Sequence, residues 1–190
     1  MDSSKMFGHR STPRFLTVTS AFYHHALTQP EVVAVRDFSA PEVRQVTYGE
    51  LSQRAARLAR KLRSLGVVPG DRVPIVVTRG IDMLVGIVAV LSCGAQYVPL
   101  DGRVVPDTTL QHIATQTGAS SSTVLVIRST HYRVADLEVT NIVVIDEEDK
   151  VEDDLYAKHL PLDDLAEPDH GCYVIYTSGM SNIIIIIVET

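Results

Sequence analysis

Apolar runs and amphipathic segments alternate along the chain, and turn residues separate them. Short runs rich in apolar and β-branched residues predict strands at 32–35, 43–48, 73–77, 96–100, 124–127, 142–145 and 173–176. Apolar residues that recur every three or four positions predict helices at 16–28, 51–65, 81–92 and 108–117. This alternation predicts the α/β fold class, with a layered sheet of parallel-type strands and flanking helices.

The helix at 51–65 has the clearest pattern. Thr47 and Glu50 have the spacing of a capping box, in which each side chain accepts a hydrogen bond from the other residue's backbone N–H. Leucine and alanine then recur on one helical face at positions 51, 55, 58, 62 and 65. Gly66 stands where a residue with left-handed backbone angles ends a helix. We therefore interpret Thr47 and Glu50 as structural residues.

Composition and charge narrow the classes of function. The 190 residues fit one domain or part of a larger one, and 45% apolar with 21% charged residues is ordinary for a globular chain. A net charge of −6 without a basic stripe argues against nucleic acid or an anionic membrane as partner. The longest apolar run, 83–91, is interrupted by Gly86 and is shorter than the roughly 20 residues that span a bilayer.

The cysteine and histidine residues do not suggest a metal site. Cys93 and Cys172 lie far apart and lack zinc-site spacing, and residues 1–14 lack the apolar core of a secretory signal, so we expect a cytoplasmic protein. Cys93 stands at the end of a predicted helix, and of its two interpretations, a reactive thiolate and a small buried residue, the second is preferred. Neighbouring His24 and His25 are expected to face different directions on a helix, and the other histidines show no metal spacing.

Acidic residues are concentrated at 146–154. A cation site and a solvated loop are the two interpretations of this stretch. The solvated loop is favoured, because the glycine-containing spacing of a calcium loop is missing.

The segment 173–182 has the most specific chemical interpretation. An apolar strand is followed at once by hydroxyl residues and a glycine. A loop that leaves a strand exposes backbone N–H groups, and Gly179 allows a tight turn and close approach of a ligand. The hydroxyls of Thr177, Ser178 and Ser181 can donate to phosphate oxygens. An ordinary β-turn is the alternative, because turns often have this composition.

Together with two upstream segments, this loop resembles the adenylate-forming (AMP-binding) enzymes. Residues 176–179, Y-T-S-G, are similar to the start of the family's phosphate-binding loop, Y-T-S-G-S-T-G-x-P-K-G. Residues 46–51, V-T-Y-G-E-L, resemble its first core motif, L-T-Y-x-E-L. Residues 91–101, L-S-C-G-A-Q-Y-V-P-L-D, resemble its second, L-K-A-G-x-A-Y-V-P-L-D. The second motif is most similar to that of nonribosomal peptide synthetase adenylation domains.

The resemblance implies the N-terminal part of an adenylation domain. In this family, ATP with Mg²⁺ activates a small-molecule carboxylate or amino acid as an acyl-adenylate, which passes to the phosphopantetheine thiol of a carrier protein. By the same resemblance, Thr177, Ser178 and Gly179, with Ser181, would bind the phosphates of the nucleotide. No catalytic residue and no metal ligand can be assigned from the sequence.

The match fails after Gly179. The family's Ser-Thr-Gly is replaced by Met180, Ser181 and Asn182, and its Pro-Lys-Gly is absent. Five isoleucines follow at 183–187, which suit an extra strand or an aggregation-prone tail. The missing lysine removes a cation that would face the polyphosphate.

We therefore divide the chain into a flexible N-terminus at 1–13, a partial AMP-binding domain at 14–182 and a divergent isoleucine-rich tail at 183–190. This division predicts a truncated adenylation domain without adenylating activity. Two alternatives remain open. One is a non-catalytic remnant that binds a nucleotide or a partner, and the other is a fragment of an acyl-CoA ligase or of an aminoadipate-reductase-like enzyme.

Overall fold

The computed structural model of the protein describes residues 13–39, 41–116, 123–148, 164–176 and 184–186. Its helices are α1 (Val18–Thr28), α2 (Tyr48–Ser64), α3 (Ile81–Ser92), α4 (Asp107–Gln116) and α5 (Ile145–Glu148), with a 3₁₀ helix at Arg128–Arg133. Its strands are β1 (Val33–Asp37), β2 (Arg44–Thr47), β3 (Arg72–Val77), β4 (Gln96–Asp101), β5 (Thr123–Val126), β6 (Asn141–Val144), β7 (Tyr173–Ile175) and β8 (Ile184–Ile186).

Six strands form one sheet in the order β6-β5-β3-β4-β7-β8, while β1 and β2 form a separate antiparallel hairpin. Neighbouring strands run parallel from β6 to β7, whereas β8 is antiparallel to β7. The predicted α/β fold with a parallel sheet and flanking helices is confirmed. For the isoleucine run, the structure has the extra strand, because Ile184–Ile186 pairs with β7.

Alternate residues of β3 point to opposite faces of the sheet. Val73, Ile75 and Val77 belong to the larger buried cluster, which residues of α2 and α3 complete. Val76 belongs to a second buried cluster, together with Leu110 of α4. Because helices cover both faces, β3 is apolar along most of its length instead of alternating between apolar and polar residues.

The capping box predicted for α2 is present. Thr47 Oγ1 accepts a hydrogen bond from the Glu50 backbone N–H (3.2 Å), and Glu50 Oε2 accepts one from the Thr47 N–H (2.8 Å). Gly66 follows the helix with φ +90°, as expected for the residue that ends it. The apolar face of α2 packs into the larger cluster, and Arg54 ties the helix to Asp82 of α3 at 2.5 Å.

Two helical segments differ from the prediction. The 3₁₀ helix and α5 occupy stretches in which no helical periodicity was found. Residues 146–148, at the start of the acidic stretch, are helical where a solvated loop was predicted, and Ile145 begins this helix instead of ending the predicted strand. Asp146 accepts a hydrogen bond from the Arg128 backbone N–H at 2.8 Å, and Glu147 pairs with the Arg128 guanidinium at 3.0 Å. Arg128 follows β5 and stands 18 residues before Asp146, so local periodicity does not reveal these contacts.

None of the helices in the part of the chain that the structure describes is both long and apolar enough to cross a membrane. The most apolar of them, α3, has 12 residues and packs against β3 and β4. Its bounds, Ile81–Ser92, agree with the prediction, because Gly80 and Gly94 flank it with positive φ angles of +157° and +69°.

Candidate functional site

Three neighbouring parallel strands, β3, β4 and β7, end at the same edge of the sheet. Val77 of β3 lies opposite Asp101 of β4, and Tyr97 of β4 lies opposite Tyr173 of β7. In open α/β sheets, ligands bind in the crevice outside the carboxyl ends of the strands. This carboxyl edge is therefore the candidate site.

The predicted phosphate-binding residues follow β7 directly in sequence. Thr177, Ser178, Gly179 and Ser181 lie outside the described residues, so their role stays a prediction. Tyr176, the residue before them, directly follows β7 and is not helical. Its hydroxyl is buried and has no hydrogen-bond partner among the described residues. Burial raises the pKa of this hydroxyl, so the phenol stays neutral at physiological pH.

A carboxylate of the β1–β2 hairpin lies against the turn that follows β3. Asp37 accepts hydrogen bonds from the Ser39 backbone N–H (2.9 Å) and from the Arg44 guanidinium (2.6 Å). Hydrogen bonds from Ser39, and then from Arg44, hold the pKa of the Asp37 carboxyl well below its usual range. Asp37 Oδ2 lies 2.9 Å from the position that a Cβ on Gly80 would take. The turn is thus pressed against the hairpin, and Arg79 is exposed beside the carboxyl edge.

A cavity of about 170 Å³ lies next to this edge. It is lined by apolar residues of β3, α3 and β4, together with one arginine and one aspartate: Ile75, Val77, Arg79, Met83, Ile87, Pro99, Leu100 and Asp101. Ligand sites commonly combine an apolar lining with a few polar groups of this kind. The carboxyl edge therefore offers apolar surface and both signs of charge.

The 3₁₀ helix covers another part of the carboxyl edge. The hydroxyl of Thr130 donates to the backbone carbonyl of Val76 at 2.6 Å, close to the end of β3. Arg133 donates to the carbonyl of Gly102, directly after β4, at 2.7 Å. Thr130 thus covers the end of β3, and Arg133 reaches the exit of β4, the strand next to β7.

The cysteines are not reactive groups of this site. The Cys93 side chain is completely buried, and its thiol donates to the Ala59 carbonyl at 3.6 Å. Burial raises the pKa of the Cys93 thiol, which keeps it protonated. The interpretation of Cys93 as a small buried residue is confirmed. Burial also raises the pKa of the Cys172 thiol, and both cysteines are free.

One group of possible metal ligands was not anticipated from the sequence. The side-chain ligand atoms of Glu167, Asp169 and His170 lie within 4.8 Å of one another. The two carboxylates are exposed, and His170 Nδ1 accepts a hydrogen bond from the Glu167 backbone N–H at 3.2 Å. The hydrogen bond accounts for the position of His170, and we assign no metal to this turn.

Comparison with known proteins identifies the family. The AMP-binding enzyme family matches residues 22–180. Adenylate-forming reductase 03009 of Coprinopsis cinerea is 36% identical over 87% of this chain, and gramicidin S synthase 2 of Brevibacillus brevis is 32% identical over 88% of it. The chain belongs to the AMP-binding enzyme family, and it is homologous to nonribosomal peptide synthetase adenylation domains. It spans 15% of the length of the reductase and 4% of that of the synthetase.

Solved structures agree with this assignment. The nonribosomal peptide synthetase FmoA3, in a form with α-methyl-L-serine-AMP bound, is 26% identical and superimposes with a TM-score of 0.72 over 89% of this chain and 18% of its own. A fatty acyl-adenylate ligase from Legionella pneumophila has a TM-score of 0.73 over 92% of this chain and 30% of its own, at 17% identity. At 17% identity, the likeness to the fatty acyl-adenylate ligase shows a shared fold only.

Proposed function

We propose that this chain forms the nucleotide-facing N-terminal part of an adenylation domain, and that the loop after β7 holds nucleotide phosphates. One observation carries the proposal: β7 ends at the carboxyl edge of a parallel sheet, and Tyr176 leads from there into Thr177, Ser178 and Gly179. Backbone N–H groups and hydroxyls at such an edge suit an anion. Ser181 is the fourth residue of the proposed set.

The parent activity that we propose is activation of a carboxylate by ATP. A carboxylate oxygen of the substrate attacks the α-phosphorus, the bond to the bridging oxygen breaks, and pyrophosphate leaves with that electron pair. Loop donors neutralise the charge that develops on the phosphates. Mg²⁺, when bound, would supply further neutralisation of the same charge. A thiol, for which we propose the phosphopantetheine arm of a carrier protein, then attacks the acyl carbon of the adenylate. A thioester forms, the bond from the acyl carbon to the phosphate oxygen breaks, and AMP leaves with that electron pair.

We propose that the 190 residues by themselves do not catalyse this reaction. Where the family's loop continues with Ser-Thr-Gly, this chain has Met180, Ser181 and Asn182, and no lysine follows. Met180 removes a hydroxyl donor, and Asn182 adopts left-handed backbone angles less freely than glycine. The loop thus keeps its polar first half and lacks its cation.

The relatives of this chain share one chemical step. Relatives include reductases named as adenylate-forming and synthetases of peptides, and a fatty acyl-adenylate ligase shares the fold. Carboxylate activation is what these names have in common, so we propose this step, with an amino acid or another acid as the substrate. We also propose a cytoplasmic location. A non-catalytic remnant that binds a partner instead of a nucleotide is the second candidate, and the altered residues 180–182 favour it.

Exchange of labelled pyrophosphate into ATP tests the proposed activity. The chain is incubated with Mg²⁺, ATP and, in turn, each of a panel of amino, aromatic and fatty acids, with an intact adenylation domain as positive control. The exchange measured without any added acid is the background. We expect that no acid raises the exchange above it, because the loop lacks its lysine. Exchange that depends on one of the acids would overturn the proposal of inactivity and would name the substrate.

A further inference from the structure

Arg133, on the 3₁₀ helix, contacts two carbonyls of the β4–α4 connection (residues 102–106) and the first residue of α4. Its guanidinium donates to the backbone carbonyls of Gly102 (2.7 Å) and Val105, and to the Asp107 carboxylate (2.7 Å). The Arg133 side chain is only 11% exposed, whereas that of Asp107 is 86% exposed. The planar guanidinium therefore spans the connection from the exit of β4 to the first residue of α4.

The position of the 3₁₀ helix is itself fixed by Thr130. This residue is 2% exposed, and its hydroxyl donates to the Val76 carbonyl at 2.6 Å. Its methyl carbon lies 2.4 Å from the place where a Cβ on Gly102 would stand, so only glycine fits there without movement. The Gly102 N–H donates to the Val77 carbonyl at 2.9 Å. The 3₁₀ helix, the end of β3 and the exit of β4 thus form one packed unit.

We infer that Arg133 is a positioning residue for the nucleotide site. β4 is the parallel neighbour of β7, with Tyr97 opposite Tyr173, so the β4–α4 connection lies beside the strand end from which the proposed phosphate loop departs. By holding Gly102 and Val105, Arg133 sets the part of the carboxyl edge next to the end of β7. This inference rests on the proposed nucleotide binding.

Carbonyl contacts, more than the ion pair, carry the effect of Arg133. Asp107 is largely exposed, and exposed ion pairs contribute little because water and salt screen them. The Gly102 and Val105 carbonyls have a charged donor in Arg133, and losing it leaves them without that bond. Arg133→Met and Asp107→Asn therefore separate the two contributions, since the second variant leaves both carbonyl bonds in place.

The test combines amide hydrogen exchange with AMP affinity, using the whole chain at a temperature at which circular dichroism shows each variant folded. In Arg133→Met, the Gly102 and Val105 amides, which donate to Val77 and Asp101, should exchange about tenfold faster or more. AMP affinity should fall about fivefold or more in the same variant. Asp107→Asn should change either quantity less than about twofold.

The outcomes are distinguishable. Faster exchange at residues 102–105 together with weaker AMP binding supports the inference. Faster exchange with unchanged AMP affinity overturns the positioning role, and unchanged exchange overturns the contact network on which it depends. If the unsubstituted chain binds no AMP, the proposed nucleotide site itself is wrong, and the role of Arg133 towards a nucleotide is rejected with it.

Discussion

Leu62→Ala should lower the free energy of unfolding by about 2–5 kcal/mol. Leu62 lies in the last turn of α2, is completely buried and belongs to the cluster that α2 shares with α3 and β3. Removing three carbons there forfeits their transfer from water and leaves a cavity that rigid neighbours fill only in part. Urea denaturation followed by circular dichroism measures the change.

The same substitution at Leu27 is the matched control. Leu27 lies on α1 and is 82% exposed, so Leu27→Ala should change the free energy of unfolding by no more than about 0.5 kcal/mol. If the two variants proved equally stable, α2 would not pack against the sheet in the way described.

Gly94→Ala should lower the free energy of unfolding by about 2–5 kcal/mol, from two contributions. Gly94 has φ +69°, a conformation that costs an L-residue about 1–2 kcal/mol. The added Cβ would also stand 2.7 Å from the Leu165 carbonyl oxygen and 3.0 Å from His170 Nδ1. Relieving that overlap costs about 1–3 kcal/mol more.

Gly70→Ala separates the backbone contribution from the steric one. Gly70 also has a positive φ, +87°, but a Cβ there would meet nothing within 4 Å. Its cost should therefore be the backbone part alone, about 1–2 kcal/mol. Equal costs for the two glycines would show that residues 164–171 do not pack on the end of α3. In the folded chain, this packing includes a hydrogen bond of 3.0 Å from the Leu165 N–H to the carbonyl of Ser92, the last residue of α3.

The main elements could be predicted because their signals are local. The capping box of Thr47 and Glu50 and the leucine periodicity define α2 without reference to the rest of the chain, and the apolar run of β3 reflects burial on both faces. The 3₁₀ helix could not be predicted, because Thr130 bonds to Val76 and Arg133 to Gly102, partners distant in sequence.

The candidate site was predicted less completely than the fold. The chemistry of Thr177, Ser178 and Gly179 can be inferred from residue types and from family resemblance, and the end of β7 at the carboxyl edge is consistent with that inference. The close approach of Asp37 to Gly80 could not be predicted, because the two residues come from separate elements. Nothing in the sequence distinguishes Asp37 from an ordinary surface carboxylate, although it is only 6% exposed.

The central claim is that nucleotide phosphates bind at the carboxyl edge beside the end of β7. Titration of the isotope-labelled chain with AMP, followed through its backbone amide signals, tests this most directly. We predict saturable shifts at Tyr176 to Gly179 and at Asp101 and Gly102, with the α1 signals unchanged. Absence of shifts at high AMP concentration, or saturable shifts confined to the arginines of α2, would contradict the claim.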